Sequence, residues 1–371
     1  MSAILLTSTP DHFKKIAQAL AQGDVVGIPT ETVYGLAGNV FSEKALAKIF
    51  SVKERPKFDP LIVHIPPFGE AVRENQRLEA LESLCLVDTK NFSQTAKRQC
   101  EILMERFWPG PLTLVFPKHL KVPDLATSGL PSVAIRMPKH PGAQAILKLC
   151  KFPLAAPSAN RFGKISPTTA QAVEQELGDR ISLILDGGPS EVGLESTVVQ
   201  IDPEGGVTLL RPGAISRQML ELALRIPLRD LSDHTSTGPF PSPGTSKSHY
   251  APKMPLRVLQ KPTMEMNAIQ LSELLKTTLP GVGKHEIRIG LLTMSGDSDK
   301  SAMFFHGLTG VHVNASALSK TGNLNEIAKN LFRELRSLDQ SQVHAIFVEP
   351  PPSKEGLGHA IWDRLNRASA I

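Results

Sequence analysis

Cysteine is scarce in this chain: Cys85, Cys100 and Cys150 are the three among 371 residues, widely spaced and not grouped with histidines. An odd, scattered set supports neither a disulfide framework nor a zinc site, and it fits a reducing cytoplasm. Nowhere do eighteen apolar residues run together, and the opening MSAILLTSTPDHFKK has no basic stretch leading into a long apolar one. The expectation is therefore a cytoplasmic chain, neither exported nor membrane-spanning. Two phosphate-binding signatures are also missing. There is no GxxxxGK[ST] loop and no GxGxxG after a strand, so a nucleotide site here would be of another type.

What is present is an ordinary globular composition, 41% apolar and 21% charged, with a formal charge of +5. The length favours two domains, each able to bury an interior. The mild basic excess permits an anionic ligand or an RNA contact without demanding either.

Residues 11 to 65 read helix, strand, turn, helix, strand. HFKKIAQALAQG has helical apolar spacing and a Gly stop, DVVGIPT is β-rich, SEKALAKIFSVK is helical with a Ser cap, and PLIVHI is a second strand. Further strands are predicted at 112–116, 132–137, 153–158, 182–188 and 196–202. Alternation of this kind argues α/β. Around 233–255 the texture becomes rich in Pro, Ser, Thr and Gly, as in a linker. The division expected is a first domain at 1–225, a linker at 226–255, and a smaller α/β domain at 256–371 with strands LRVLQ, IRIGLLTM and HAIFVEPPP.

Several stretches carry chemistry. GIPTETVYGLAG (27–38) runs a strand into hydroxyls and glycines, either a ligand-binding strand end or a capped turn. SVKERPKFDPLIVH (51–64) gathers Lys53, Arg55, Lys57 and His64. Cations at the end of a helix also offset its dipole, and a lone strand histidine is more often structural than catalytic. Arg136 in SVAIRMP falls within an apolar strand, where a buried guanidinium needs an anionic partner. A structural Asp or Glu would serve, as would a ligand carboxylate or phosphate held by the planar fork. Ser158 and Asn160 in AAPSAN, Ser196 and Thr197 in GLESTVV, and Arg211 in LLRPGAI add polar groups at other strand ends.

In this order PTETVYGL, KERPKFDPLIVH, WPGPLTLV, VAIRMP, AAPSAN, SPT, GLESTVV, LRPG and SPGTSKSHYAP resemble the threonylcarbamoyl-AMP synthase family, in its longer two-domain YrdC-like form. GLGHAIWDRLNRAS resembles the C-terminal domain of those longer members. The resemblance implies a twisted, open, mixed α/β sheet with a concave basic cavity, plus a smaller Rossmann-like α/β domain. It implies that L-threonine, bicarbonate or CO2, and ATP become threonylcarbamoyl-AMP and pyrophosphate, with Mg2+ accompanying ATP. A downstream tRNA threonylcarbamoyl transferase complex would consume the product. Carried over by motif, Lys53, Arg55, Ser158 and Asn160 would be catalytic. Arg55, Asp59, Ser132, Ser158, Ser166, Arg211 and Tyr250 would contact ATP, with Tyr250 as a lid. Thr32, His64, Arg136, Ala156 and Ser196 would hold threonine. No residue is assigned to a metal.

The chain departs from the family in three places. Asp59 stands where members commonly have Asn, the segment before His249 and Tyr250 differs, and residues 70–105 diverge and carry no assigned function. A non-enzymatic module that binds tRNA or double-stranded RNA is the alternative, and the modest net charge and few aromatics favour the enzyme. A carbamoyl-adenylate enzyme of hydrogenase maturation would carry zinc-finger cysteines and an acylphosphatase-like region, both absent here.

Overall fold

The computed structural model of the chain describes residues 3–56, 58–73, 75–230, 249–280, 287–306, 308 and 310–370. The chain divides into two compact units, Met1–Phe162 with Ser166–Ser246, and Gly163–Ile165 with Lys247–Ile371.

The first unit begins β1 (Ile4–Thr7), α1 (Pro10–Ala21), β2 (Val26–Ile28), β3 (Gly35–Asn39), α2 (Glu43–Lys53), β4 (Ile62–His64), α3 (Arg77–Ser83) and α4 (Gln94–Phe107). It continues β5 (Leu112–Pro117), α5 (Asp124–Thr127), β6 (Ser132–Arg136), α6 (Pro141–Cys150) and β7 (Leu154–Ala155). It ends α7 (Ala170–Leu177), β8 (Leu183–Asp186), β9 (Thr197–Ile201), β10 (Val207–Arg211), α8 (Arg217–Leu224) and β11 (Arg229–Asp230). Its strands form one mixed sheet of eleven in the order β1-β8-β2-β3-β7-β4-β6-β5-β9-β10-β11.

Local sequence explains the helices that frame the site. Thr9 caps α1 by accepting from the His12 amide, Pro10 opens the first turn, and Ile16 and Leu20 bury the inner face. Ser42 caps α2 by accepting from the Ala45 amide at 3.2 Å, and Leu46, Ile49 and Phe50 pack inward. Glu54 takes a left-handed φ of 53° and ends that helix, turning Arg55 back so that its amide reaches the Phe50 carbonyl at 3.0 Å.

Strand alternation sorts the central strands into two faces. Val63, Leu114, Val133, Ile135 and Val199 enter the large core, under Leu46, Ile49, Cys100, Leu103, Val173 and Leu220 of the helices. On the opposite face α1 and α6 cover β1, β8, β2, β3 and β7 through Ile16, Leu20, Ile146 and Leu147. Beyond β7 that face carries a small apolar cluster, Ile62, Val115, Ala134, Val198 and Leu210.

The second unit contains β12 (Leu256–Val258), a 3-10 turn at Thr263–Glu265, α9 (Ala268–Thr278), β13 (Ile287–Thr293) and α10 (Ser298–His306). It continues β14 (Val311–Ala317), α11 (Leu324–Gln340), β15 (Ala345–Val348) and α12 (Leu357–Ser369). Its sheet is parallel throughout, in the order β12-β15-β13-β14, over a core of Leu271, Leu275, Ile289, Leu291, Phe305 and Phe347. Of the stretch read as linker and lid, β11 pairs in the first sheet and His249 to Pro255 fall in the second unit, while 231–248 lie outside the described residues. No described helix is long and apolar enough to cross a membrane.

Candidate active site

Register brings the polar residues of the central strands into one row. His64 pairs with Arg136 across parallel β4 and β6, and Arg136 pairs with Thr113 across antiparallel β6 and β5. All three project on the face of the small apolar cluster, because they share the parity of Ile62, Ala134 and Val115. Ser132, at the start of β6 and half-buried, has the same parity. Thr113 Oγ1 lies 2.7 Å from Ser196 Oγ, which brings β9 into the row.

Each buried guanidinium here has found a protein partner. Arg136 Nη2 lies 2.8 Å from Glu31 Oε1, with both side chains buried. The structural carboxylate that the sequence left as one option thus exists, and it comes from the PTETVYGL motif. Arg55 Nη2 lies 2.8 Å from Asp59 Oδ2, while its Nε and Nη2 donate to the carbonyls of Asp59 and Pro60 at 3.1 and 2.7 Å. Asp59, the departure from the family pattern, therefore serves as a counter-charge to Arg55. Arg211 uses Nε and Nη2 on the Ser196 carbonyl at 3.2 and 3.1 Å, and Nη2 also donates to Ser196 Oγ at 3.2 Å.

Lys53, the last residue of α2, is buried, and its ammonium donates to the carbonyls of Ser158 and Asn160, both at 2.5 Å. This ties the AAPSAN loop to the KxR segment, and it leaves one N–H of the ammonium. Its pKa lies well below the usual lysine range, because burial penalises the charge and Arg55 adds repulsion, with Asp59 and Glu176 opposing. Burial, then the charge of Arg136, lowers His64 to about 3, so its imidazole is neutral at ordinary pH. Its Nδ1 faces the Ile62 carbonyl at 3.3 Å.

The loop before β3 is stapled to distant segments. Thr30 and Thr32 share a hydroxyl contact of 2.9 Å, and the Val192 and Gly193 amides donate to the Glu31 and Thr32 carbonyls at 2.8 and 3.1 Å. Tyr34 donates its hydroxyl to the Gly188 carbonyl at 2.7 Å and accepts from the Gly187 amide at 3.1 Å. Ala156, whose amide donates to the Ile62 carbonyl at 2.9 Å, and Ser158, bridged to Gly35, place the AAPSAN loop beside β3 and β4. Ser166 is buried and donates to Glu195 Oε1 at 2.5 Å.

The first unit thus joins His64, Arg136 and Ser196 along one row, Lys53 with Ser158 and Asn160, Arg55 with Asp59, and Arg211 with Ser196. Tyr250 belongs to the second unit. There it is buried with a left-handed φ of 65°, its ring stacked 5.5 Å from Phe332 and 5.3 Å from the Arg364 guanidinium. Lys57 lies outside the described residues. Glu31, Thr113 and Glu195 were not singled out from the sequence. Alternation in LTLVF is the signal that would have placed Thr113 on this face; the two carboxylates stand inside quoted motifs but reveal their partners only through the fold.

Among the described residues no group of three or more His, Cys, Asp or Glu side chains could hold a metal ion. Four cations, Lys53, Arg55, Arg136 and Arg211, that already sit on carbonyls or counter-charges, beside hydroxyls and a neutral imidazole, suit an anionic ligand whose charge shifts during reaction.

Comparison with known proteins identifies the family. A family model described as "Telomere recombination" (Sua5, YciO and YrdC) matches residues 18–213. A second, described as "Threonylcarbamoyl-AMP synthase, C-terminal domain", matches residues 215–370. The chain is similar to the threonylcarbamoyl-AMP synthase of Pyrococcus abyssi, 36% identical over 94% of this chain and 92% of that one. It is also similar to that of Bacillus subtilis, 36% identical over 98% and 94% of the two chains. The crystal structure of P. abyssi Sua5 complexed with L-threonine superposes with a TM-score of 0.81 at 34% identity, covering 99% of this chain and 98% of that one. With both family models matched in order and similarity running nearly end to end, the chain belongs to the threonylcarbamoyl-AMP synthase family, in its two-domain form.

Proposed function

We infer that the chain makes L-threonylcarbamoyl-AMP from L-threonine, bicarbonate or CO2, and ATP, with release of pyrophosphate. The observation that carries this reading is the 36% identity to a threonylcarbamoyl-AMP synthase over 94% of the chain. The threonine amine, once deprotonated, adds to CO2 as a carbamate. A carbamate oxygen then forms a bond to the α-phosphorus of ATP, and the bond from that phosphorus to the β-phosphate oxygen breaks. This adenylyl transfer makes the enzyme a nucleotidyltransferase.

Negative charge grows on the α-phosphate and on the departing pyrophosphate, so fixed cations lower the barrier by position and field. Lys53 and Arg55 supply that field, and Ser158 and Asn160 complete the cradle that the Lys53 ammonium holds in shape. Asp59, Ser132, Ser166 and Arg211 complete the set of the first unit that contacts ATP. Thr32, His64, Arg136, Ala156 and Ser196 take threonine, with the Arg136 fork on its carboxylate. Mg2+ enters as the companion of ATP. Asp59 is a single carboxylate already facing Arg55, so the phosphates and water would supply most of the ligands.

The product serves a tRNA threonylcarbamoyl transferase in the cytoplasm, and contact with tRNA or double-stranded RNA is the competing reading. Purified protein should release pyrophosphate only when threonine, bicarbonate and ATP are all present, with threonylcarbamoyl-AMP identified by mass spectrometry. Salt-sensitive RNA binding without threonine-dependent nucleotide chemistry would overturn the enzyme reading in favour of a binding module.

A further inference from the structure

We propose that the cavity between α3 and α4 binds a small zwitterionic amine, with Glu101 taking its ammonium group and Lys97 and Arg98 its anionic end. The site lies in the divergent stretch 70–105 and does not depend on the reaction proposed above.

The cavity measures about 380 Å³ and is lined by Glu79, Glu82 and Thr89, and by Lys97, Arg98 and Glu101 of α4. Glu79 and Arg98 are exposed, so the cavity opens to solvent, whereas Glu101 is only 6% exposed. The wall is set by helix periodicity. α4 sends Ala96, Cys100, Leu103 and Met104 into the large core, while Lys97 and Arg98 stand four and three residues before Glu101 and share its face. This is the helix-covered side of the sheet; the row of His64 and Arg136 faces the other way.

Glu101 Oε1 accepts from the Leu78 amide at 2.7 Å and so holds the start of α3. That task needs an acceptor but no charge, and a glutamine would perform it. Oε2 is buried without a hydrogen-bond partner. Lys97 and Arg98 have the spacing at which helical ion pairs form, yet neither pairs with Glu101. Burial raises the pKa of the carboxyl; the Leu78 and Arg77 amides and the Arg77 charge oppose this, and Glu79 adds to it. One oxygen of a deep carboxylate is thus unanswered, at a cost that an ammonium group in the cavity removes through a charge-assisted hydrogen bond.

The cation is organic, because Glu79, Glu82 and Glu101 do not converge closely enough to hold a metal ion. Lys97 and Arg98 decide the rest of the ligand. They repel a second ammonium and attract a carboxylate, while the three glutamates turn away a simple anion.

The test is an NMR titration of the isotope-labelled full chain, followed through the Leu78 amide, with four probes on one carbon frame: 4-aminobutyrate, n-butylamine, butane-1,4-diamine and butyrate. The expected order is 4-aminobutyrate tightest, then n-butylamine, with butyrate leaving the amide unmoved. A hydrogen bond to a charged group contributes about tenfold or more in affinity, so Glu101→Gln, which still accepts from Leu78, should weaken 4-aminobutyrate by at least that factor. Lys97→Gln should leave n-butylamine binding intact and reduce the preference for 4-aminobutyrate, which keeps the proposal refutable if Glu101→Gln does not fold. The proposal is overturned by any probe that binds more tightly than 4-aminobutyrate, by undiminished affinity in folded Glu101→Gln, by an unchanged preference in Lys97→Gln, or by no response of the Leu78 amide to any probe. None of these readings involves pyrophosphate release, so failure here leaves the threonine-dependent reaction standing.

Discussion

Arg211 grips Ser196 through its main-chain carbonyl and its hydroxyl at once, with three donor contacts between 3.1 and 3.2 Å. By motif the arginine is expected at ATP and the serine at threonine, so this fork links the two halves of the reaction. Arg211→Lys removes the planar fork but keeps the charge. It should raise the KM for threonine as well as for ATP. Ser196→Ala should then cost less in the Arg211→Lys background than in the native one, a coupling on the order of 1 kcal/mol in a double-mutant cycle. Strict additivity of the two changes would mean that the subsites are independent.

His64 makes the stability of the first unit sensitive to acid. The unfolded chain takes up its imidazole proton near 6.5, but the folded one refuses it until about 3, because the ring is buried beside Arg136. Between those values the unfolded state holds more protons, so stability falls as pH drops through the window. The full effect is on the order of 5 kcal/mol. Urea unfolding at several pH values should show a shallower acid slope for His64→Phe than for the native protein. Identical slopes would mean that the ring ionises freely in the folded state.

Much of the frame follows from local patterns. The Ser42 cap and the periodicity of SEKALAKIFSVK mark α2, and alternation in SVAIRM marks β6 together with the face that Arg136 occupies. The strand β3 was not legible, because GLAGN has two glycines and little β propensity; it is extended only because β2 and β7 pair on either side of it. The same holds for β1, a four-residue edge strand that is specified by its pairing with β8. In the site, the residue types of the family motifs could be read, but their counter-charges could not. Glu31 meets Arg136, and Glu195 meets Ser166, through register and loop packing between segments far apart in the chain.

Asp59 offers a direct test of what a counter-charge does to phosphate binding. Its carboxylate lies 2.8 Å from Arg55 in a buried setting, where the field of the arginine is otherwise available to an anion. Asp59→Asn keeps the shape and lifts the neutralising charge. The expected result is a several-fold lower KM for ATP with little change in kcat, read from pyrophosphate release against ATP concentration. A higher KM that extra Mg2+ restores would instead make Asp59 a ligand of the ion that ATP brings.

Gly213, in the LRPG motif, is where two chain segments approach too closely for a side chain. A Cβ there would stand 2.4 Å from the Thr197 amide nitrogen and 2.7 Å from the Ser196 carbonyl carbon, both main-chain atoms of the GLESTVV segment. Main chain has no rotamer to yield with, so Gly213→Ala must displace one segment from the other. Thr197 Oγ1 is shared with the Ile215 amide and carbonyl at 3.0 and 2.8 Å, and these bonds hold the two segments in register, so the displacement is resisted. Forced overpacking of this kind destabilises by about 1–3 kcal/mol. The larger consequence should be functional. Ser196 would shift relative to both Thr113 and Arg211, and activity should fall further than stability does. Denaturant unfolding alongside pyrophosphate release separates the two effects, and an alanine variant with native stability and native rate would show that the approach is looser than these distances state.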